Sequence, residues 1–191
     1  MADPSPMRRR ATAYVSSDDP LTRASNILAM ALALNQPFYP IYVHAFVGDV
    51  GYTWALTFLS TPFFLAAPIV ARRLTTGGRL YFPAIGAINT FFCAFVFGEG
   101  SGVELFLAPC AVIAAMSARA HERLALGAFL CAVFAVFSVL RGNYGTPLHA
   151  FTPEQYAHFL SLNVFSAAAL VALAAWTFSS AWATIEREAR S

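Results

Sequence analysis

The residues of this sequence best suited to binding a metal ion are three histidines and several carboxylates that fall between apolar segments. In chain order, the polar residues at these positions are His44, Asp49, Glu99, Glu104, Arg141, His149, Glu154 and His158. Imidazole and carboxylate groups are ordinary ligands of zinc, copper, iron and manganese. If a helical bundle brings these positions together, they predict a site for copper, zinc or iron. The candidate ligands are His44, Glu104, His149 and His158.

Spacing supports this metal site only locally, and other interpretations stay open. Glu154 and His158 are four residues apart and would share a helical face. Glu104 begins an apolar run, where a carboxylate is expensive and usually has a partner. The same residues also fit solvated caps at a membrane surface. Two histidines from different helices, such as His44 and His158, are alternatively a pair of axial haem ligands.

Four carboxamide side chains deep inside apolar segments form a second candidate site. They are Asn35, Gln36, Asn89 and Asn163. Such groups either hydrogen-bond between helices or line a pocket for a small ligand. Pro37 favours a pocket beside the first two, because a proline inside a helix frees backbone groups and such breaks tend to line cavities. The 18 phenylalanines either enclose an apolar ligand, such as a quinone or a fatty acid, or simply pack.

The composition indicates that the lipid bilayer is the natural partner of this chain. Hydrophobic residues make up 58% of it and charged residues 12%, whereas a soluble protein carries about 25% charged residues. A spanning helix needs about 20 apolar residues, so six of them nearly exhaust the 191 residues. No P-loop, nucleophile elbow or kinase signature is present. We therefore predict neither an enzyme nor a nucleic-acid-binding protein, and the three cysteines show no disulfide or zinc spacing.

Hydropathy predicts an all-α, polytopic membrane protein that is a bundle of six transmembrane helices. The expected spans are residues 25–46, 52–70, 80–97, 103–117, 124–140 and 158–182. Residues 1–24 are then a flexible N-terminal tail, 25–182 the bundle, and 183–191 a charged helical continuation of the last span. Glycines punctuate the turn between the third and fourth spans.

The distribution of arginines orients this bundle. Six crossings place 11 of the 12 basic residues on one side, and Arg141 alone on the other. Because basic residues stay in the cytoplasm, both chain ends are predicted to be cytoplasmic. The expected location is the cytoplasmic (inner) membrane of a bacterium.

Several short motifs give the chain a resemblance to a known family. They are the turn Gly98–Phe106, of the form Gly-x-Gly-Ser-Gly-Val-x-Leu-Phe, then Pro109, and then an arginine-rich turn before the fifth span. In these features the chain resembles the six-helix membrane domains of bacterial receptors. Those domains precede class III adenylate or guanylate cyclases and some sensor histidine kinases, including CqsS-type receptors. A histidine often stands in that pattern where this sequence has Glu104.

This resemblance implies a membrane sensor. Residues 182–191 resemble the start of a signalling helix that leads to a cyclase or kinase output domain, in the same chain or in a partner, and a homodimer is expected. A metal ion or small apolar ligand near the outer face would shift the packing, and the sixth helix would carry the shift inward. The alternatives are a haem- or quinone-binding electron-transfer anchor and a small transporter, although no internal repeat is visible.

Overall fold

The computed structural model describes residues 6–74 and 76–190, and every regular element in these ranges is helical. The all-α prediction is confirmed. Short 3-10 turns join several of the helices, including Gln36–Phe38, Thr57–Ser60 and Val103–Phe106. The α-helices are α1 (Pro6–Val15), α2 (Pro20–Asn35), α3 (Tyr39–Phe46), α4 (Thr53–Leu56), α5 (Thr61–Ala71), α6 (Thr76–Phe97), α7 (Leu107–Ser117), α8 (Arg123–Leu140) and α9 (Pro153–Arg190).

Four helical segments of the described chain are long and apolar enough to cross a membrane. They are Thr53–Ala71, Gly77–Phe97, Ala120–Leu140 and Pro153–Arg190. Val103–Ser117 is apolar but shorter. These four segments correspond to the second, third, fifth and sixth predicted spans. All six predicted spans are helical, but the first and fourth do not meet this measure of length and hydropathy.

The first predicted span is interrupted at its middle. Asp19 caps α2 by accepting a hydrogen bond from the Thr22 amide, and Pro20 occupies the first turn, where its missing N–H costs nothing. The helix then tightens into the 3-10 turn Gln36–Phe38 before α3 begins at Tyr39. Pro37 causes this change, because it has no N–H to donate within the helix.

The N-terminal segment contains a helix where we expected a flexible tail. Of the predicted tail 1–24, residues 1–5 lie outside the described residues, while α1 occupies Pro6–Val15. The end of α1 is fixed to α5, since the Tyr14 hydroxyl donates to the Leu65 carbonyl at 2.6 Å. Arg72 donates to the carbonyls of Ala13 and Tyr14, at 3.3 Å and 2.8 Å. The Arg72 guanidinium thus gives hydrogen-bond partners to carbonyls of the last turn of α1, and these bonds hold the end of α1 against α5.

Two apolar clusters form the core, one above the other along the bundle. In the first, α2, α5, α6, α7 and α9 meet around Leu28, Phe64 and Phe178. In the second, α3, α6 and α9 meet around Val43, Phe97 and Phe159. By contrast, none of the residues of α8 is buried, so this helix lies at the edge of the bundle.

An ion cluster closes one end of the bundle, which we call the arginine end. Arg79 pairs with Asp19 at 2.7 Å and also with Glu122, and Arg119 pairs with Asp19 at 2.7 Å. Glu122 in addition accepts from the Arg119 amide at 2.7 Å. Arg79 and Glu122 are only 6% and 5% exposed. The cluster therefore joins the chain before α2, the start of α6 and the α7–α8 connection.

The environment of Asp19 lowers the pKa of its carboxyl far below the ordinary value. Burial by itself would raise this pKa, but hydrogen bonds from Thr22, Arg119 and Arg79, together with the positive charge of Arg79, outweigh that effect. Asp19 is thus held as a carboxylate that caps α2 and pairs with two guanidinium groups.

The remaining connections meet at the opposite end of the bundle. The Gln155 side chain donates to the Asp49 carbonyl at 3.0 Å, and the Leu148 amide donates to the Val96 carbonyl at 3.1 Å. The Gly142 amide donates to the Glu99 carboxylate. These bonds tie the α3–α4 connection, the α6–α7 turn and the α8–α9 connection to one another.

We predict that Arg79→Gln lowers the free energy of unfolding by about 3 kcal/mol or more, because it leaves the buried Glu122 carboxylate without its guanidinium. Thermal unfolding in mild detergent measures the change. Arg23→Gln is the matched control, since Arg23 is exposed and outside the cluster. Equal losses for the two variants would contradict a structural role for the cluster.

We also predict a pH dependence that Asp19 carries. A carboxyl whose pKa is lower in the folded state adds stability above its unfolded pKa, and this stability is lost as the pH falls through the folded value. The difference in melting temperature between wild type and Asp19→Asn should therefore be largest near pH 7 and shrink below about pH 4. A difference that does not change with pH would exclude this contribution.

Candidate functional site

A cavity of about 420 Å³ lies inside the bundle between α2–α3, α6, α7 and α9. Its walls combine apolar side chains with amides, hydroxyls and thiols. The lining residues include Leu28, Ala31, Asn35, Gln36, Tyr39, Tyr42, Phe64, Gly86, Asn89, Thr90, Cys93, Phe106, Cys110, Ser166, Ala169, Leu170 and Leu173. A volume of this size is typical of small-molecule sites.

Three of the four predicted ligand-binding amides line this cavity. Gln36 is buried and donates to the Ser60 hydroxyl at 2.8 Å, which leaves its carbonyl oxygen free to accept. Asn89 receives only a long contact from the Cys93 thiol, at 3.8 Å. Asn35 is exposed, and its carboxamide has no partner within the described chain. The wall thus presents amide groups that retain hydrogen-bonding capacity.

The proline break places these amides beside the cavity. Because Pro37 has no N–H, the Ala33 carbonyl loses its α-helical donor, and the Tyr39 amide bonds instead to the Gln36 carbonyl. The 3-10 turn narrows the helix at this point and puts Asn35, Gln36 and Tyr39 on the cavity wall.

No residue that lines the cavity carries a formal charge at neutral pH, since the lining contains no Asp, Glu, Arg or His side chain. Leu28, Phe64, Phe106 and Leu170 supply much of the apolar wall. A charged ligand would lose its hydration there without gaining an ionic partner, which is costly. The cavity is therefore suited to an uncharged molecule with an apolar body and a polar group.

The cavity opens on the side of the bundle rather than at one end. Its exposed lining residues are Asn35 and Tyr42 on one wall and Ala169 and Leu173 on the other. The mouth thus lies between α2–α3 and α9. This is the surface that lipid would cover in a membrane.

The fourth predicted amide, Asn163, does not line the cavity. It is completely buried on α9 and donates to the Ser101 carbonyl at 2.8 Å, whereas its own carbonyl oxygen has no partner within the described chain. Asn163 lies one helical turn from Ser166 of the cavity wall. Its observed contact is to the glycine-rich turn, so it fixes α9 to the α6–α7 connection.

The glycines of this turn let it approach α9 closely. Gly98 has φ +79° and ψ 161°, and Gly102 has φ +68°, which are conformations that favour glycine. A Cβ at Gly98 would lie 2.8 Å from the Tyr156 hydroxyl, and one at Gly102 would lie 2.5 Å from Leu160. The recurring glycines of the sequence motif are thus explained by packing against α9.

The four candidate metal ligands occupy separate positions at the same end of the bundle. His44 is exposed beside a surface depression that Asp49 also lines, and His158 is exposed on α9. His149 lies against Gly51 and packs on the Phe151 ring at 4.9 Å. Over residues 6–74 and 76–190, no three His, Cys, Asp or Glu side chains are grouped to hold a metal. The metal site stays a prediction.

Glu104, the fourth of these candidates, already has protein partners. It accepts a hydrogen bond from the Tyr144 hydroxyl at 2.9 Å and lies 3.9 Å from the Arg141 guanidinium. Burial raises the pKa of Tyr144, and the hydrogen bond and negative charge of Glu104 raise it further. Glu104 therefore binds the α8–α9 connection to the start of the fourth apolar segment.

Sequence reasoning missed several polar residues of the cavity, although a helical pattern marks them. Gly86, Asn89 or Thr90, and Cys93 recur at intervals of three or four on one face of α6. Ser166, Ala169 or Leu170, and Leu173 repeat the interval on α9. A search for small and polar residues at that period would have found the α6 face, and Ser166 and Ala169 on α9.

The chain matches no protein-family model, no curated protein and no solved structure.

We predict that Gly98→Ala destabilises the protein by about 1–3 kcal/mol, because its φ and ψ lie in a region that is essentially restricted to glycine. The added Cβ would also press on Tyr156. Thermal unfolding in detergent measures the loss. Gly127→Ala is the control, since a Cβ on that α8 glycine meets nothing within 4 Å. A Gly98→Ala protein as stable as Gly127→Ala would rule out the close approach.

Proposed function

We propose that this chain is a membrane-embedded sensor domain that binds a small, uncharged, largely apolar molecule in the cavity. The observation that carries this proposal is that α9 forms one cavity wall and then continues without interruption to Arg190. Its 38 residues span roughly 57 Å at about 1.5 Å per residue. A change at the cavity therefore acts on a helix that packs against the core as far as Ile185 and ends in the exposed residues 186–190.

The proposed topology is six crossings with both chain ends in the cytoplasm of a bacterium. Two sets of contacts support it, since the ion cluster joins three arginine-rich segments at one end and hydrogen bonds join three connections at the other. The arginine-rich end is then cytoplasmic by the positive-inside rule. The proline break at Pro37 is compatible with a membrane because it lines a cavity inside the protein.

The chemistry of the cavity wall supports an uncharged ligand over a metal ion. Amide and hydroxyl groups of Asn35, Gln36, Asn89 and Ser166 offer hydrogen bonds to one polar group, and the surrounding leucines and phenylalanines cover an apolar body. The lateral mouth between α2–α3 and α9 offers entry from the bilayer, where such molecules dissolve. A metal site formed by His44, Glu104, His149 and His158 would require these residues to move together.

The ligand would act by favouring one packing of α9 over another. A ligand shifts a conformational equilibrium only by its different affinity for the two states. The α9 wall at Ser166, Ala169 and Leu170 is one place where α9 could repack, because these residues line unfilled space. The exposed residues 186–190 would carry the shift to a cyclase or kinase output domain, in this chain or in a partner, and a homodimer is the expected state.

We predict that neutral amphiphiles stabilise the purified protein more than charged ones with the same tail. The probes are 1-decanol, decanoate and decylamine at equal concentration below micelle formation. A probe at 100 times its Kd adds about 2.7 kcal/mol, which is roughly 5–10 °C in melting temperature for a chain of this size. Decanol should give such a shift, and the two ions should give less, since the wall has no charge to pair with them.

Two variants of α9 make this test specific. Ser166→Phe fills the cavity and should abolish the decanol shift, whereas Ala168→Phe adds the same ring at an exposed position outside the lining and should preserve it. Spin labels at His121→Cys and Glu186→Cys, in a Cys131→Ser background, report whether decanol moves the end of α9. Equal shifts for all three probes, or no difference between the two variants, would overturn the proposed ligand class.

Decanol could raise the melting temperature and yet leave the distance distribution between the two spin labels unchanged. That outcome would overturn the signalling role but not the binding of an uncharged ligand. The protein would then be a binding protein or an electron-transfer anchor that holds a quinone in the same cavity.

A further inference from the structure

Several exposed arginines remain at the arginine end once the ion cluster is complete. Within the cluster, two arginines are matched by two carboxylates. The exposed arginines of the described residues before α8 and at its start are Arg9, Arg10, Arg23, Arg72, Arg73 and Arg123. Besides Asp19, Asp18 is the one acidic residue of the described chain up to the end of α3. The acidic residues at the end of α9 alternate with arginines of the same helix. This rim therefore carries an excess of positive charge.

The helix α1 holds part of this charge against the outer surface of α5. The Tyr14 hydroxyl reaches the Leu65 carbonyl, and the Leu65 and Ile69 side chains are 40% and 47% exposed on the outside of the bundle. In a membrane, that outside is the lipid-facing surface. The end of α1 thus lies beside α5 at the level where the helix leaves the bilayer, as interfacial helices do.

Three guanidinium groups flank this junction of α1 and α5. Arg72 donates to the last carbonyls of α1 and its guanidinium lies 5.5 Å from the centre of the Tyr14 ring. Arg10 lies one turn before Tyr14 on the same face of α1, and Arg73 follows Arg72 directly. Within the described residues, neither the Arg10 nor the Arg73 guanidinium has an ion-pair or hydrogen-bond partner, and both residues are exposed.

We propose that the α1–α5 junction binds the phosphate of an anionic phospholipid from the surrounding leaflet. Arg10 and Arg73 bind the phosphate oxygens, for which guanidinium groups have matching geometry. Arg72 and Tyr14 hold the two helices in place. The acyl chains lie along the exposed Leu65 and Ile69 surface. This inference rests on the proposed membrane placement, but not on the sensor role or on the cavity.

The test compares lipids on the delipidated full chain in detergent. Phosphatidylglycerol should raise the melting temperature more than phosphatidylcholine at the same concentration, and native mass spectrometry should show it retained. In Arg10→Gln/Arg73→Gln the affinity for phosphatidylglycerol should fall on the order of tenfold or more, since each arginine near an anionic lipid surface contributes measurably to binding. The control is Arg141→Gln, which removes one positive charge at the other end of the bundle. This variant should bind phosphatidylglycerol as the wild type does.

Each arm of the experiment has a decisive outcome. Equal binding of the two lipids, or undiminished phosphatidylglycerol binding by the double variant, would overturn the site. A full thermal shift from inorganic phosphate alone would assign the arginines to a free anion instead of a lipid. If the double variant unfolds, lipid retention by Arg73→Gln alone gives the answer, because the exposed Arg73 side chain has no polar partner among the described residues. Failure of the decanol experiment would leave this result unaffected.

Discussion

The ion cluster of Asp19, Arg79, Arg119 and Glu122 is the interaction on which the arrangement of the helices depends. Its four side chains come from three segments, and the paired residues Asp19 and Arg119 are 100 residues apart. Each carboxylate has more than one donor. Buried charged groups such as those of Arg79 and Glu122 are stable only when they are paired and hydrogen-bonded. The start of α2, the start of α6 and the α7–α8 connection must therefore meet in one geometry, and the helices leave that point in fixed directions.

At the opposite end of the bundle, close packing and hydrogen bonds hold the connections together. There the glycine-rich turn packs closely against α9, and the Asn163 side chain donates to the Ser101 carbonyl of that turn. Close packing of small residues is a common way for membrane helices to associate, because lipid gives little hydrophobic force between them. These contacts fix the first half of α9 to the α6–α7 connection.

Between these two ends, the bundle contains a cavity beside the 3-10 turn at Pro37. Pro37 prevents a regular helix, and the resulting turn leaves space between α2–α3, α6 and α9 that side chains do not fill. Apolar walls and unsatisfied amides remain around that space. A close-packed bundle would have no such cavity, so the break and the cavity are one feature of the structure.

The sequence by itself predicted an all-α fold with long apolar helices, because apolar composition and helix length are local properties of each segment. It also located Asn35, Gln36 and Asn89, since an amide inside an apolar segment stands out at any position. It did not find α1, whose order depends on the bonds of Tyr14 and Arg72 with α5. It also did not find Ser166 or the thiols as cavity residues, and it placed Asn163 in a site that it does not line.

Only the tertiary structure decided which of these residues meet. The partners of Asp19 lie 60 and 100 residues away along the chain, and no local pattern encodes such a separation. Likewise, His44, His149 and His158 share one end of the bundle by topology, but their distances from one another follow from helix packing. Composition and periodicity fix what each segment is, whereas contacts between distant segments fix what the site can bind.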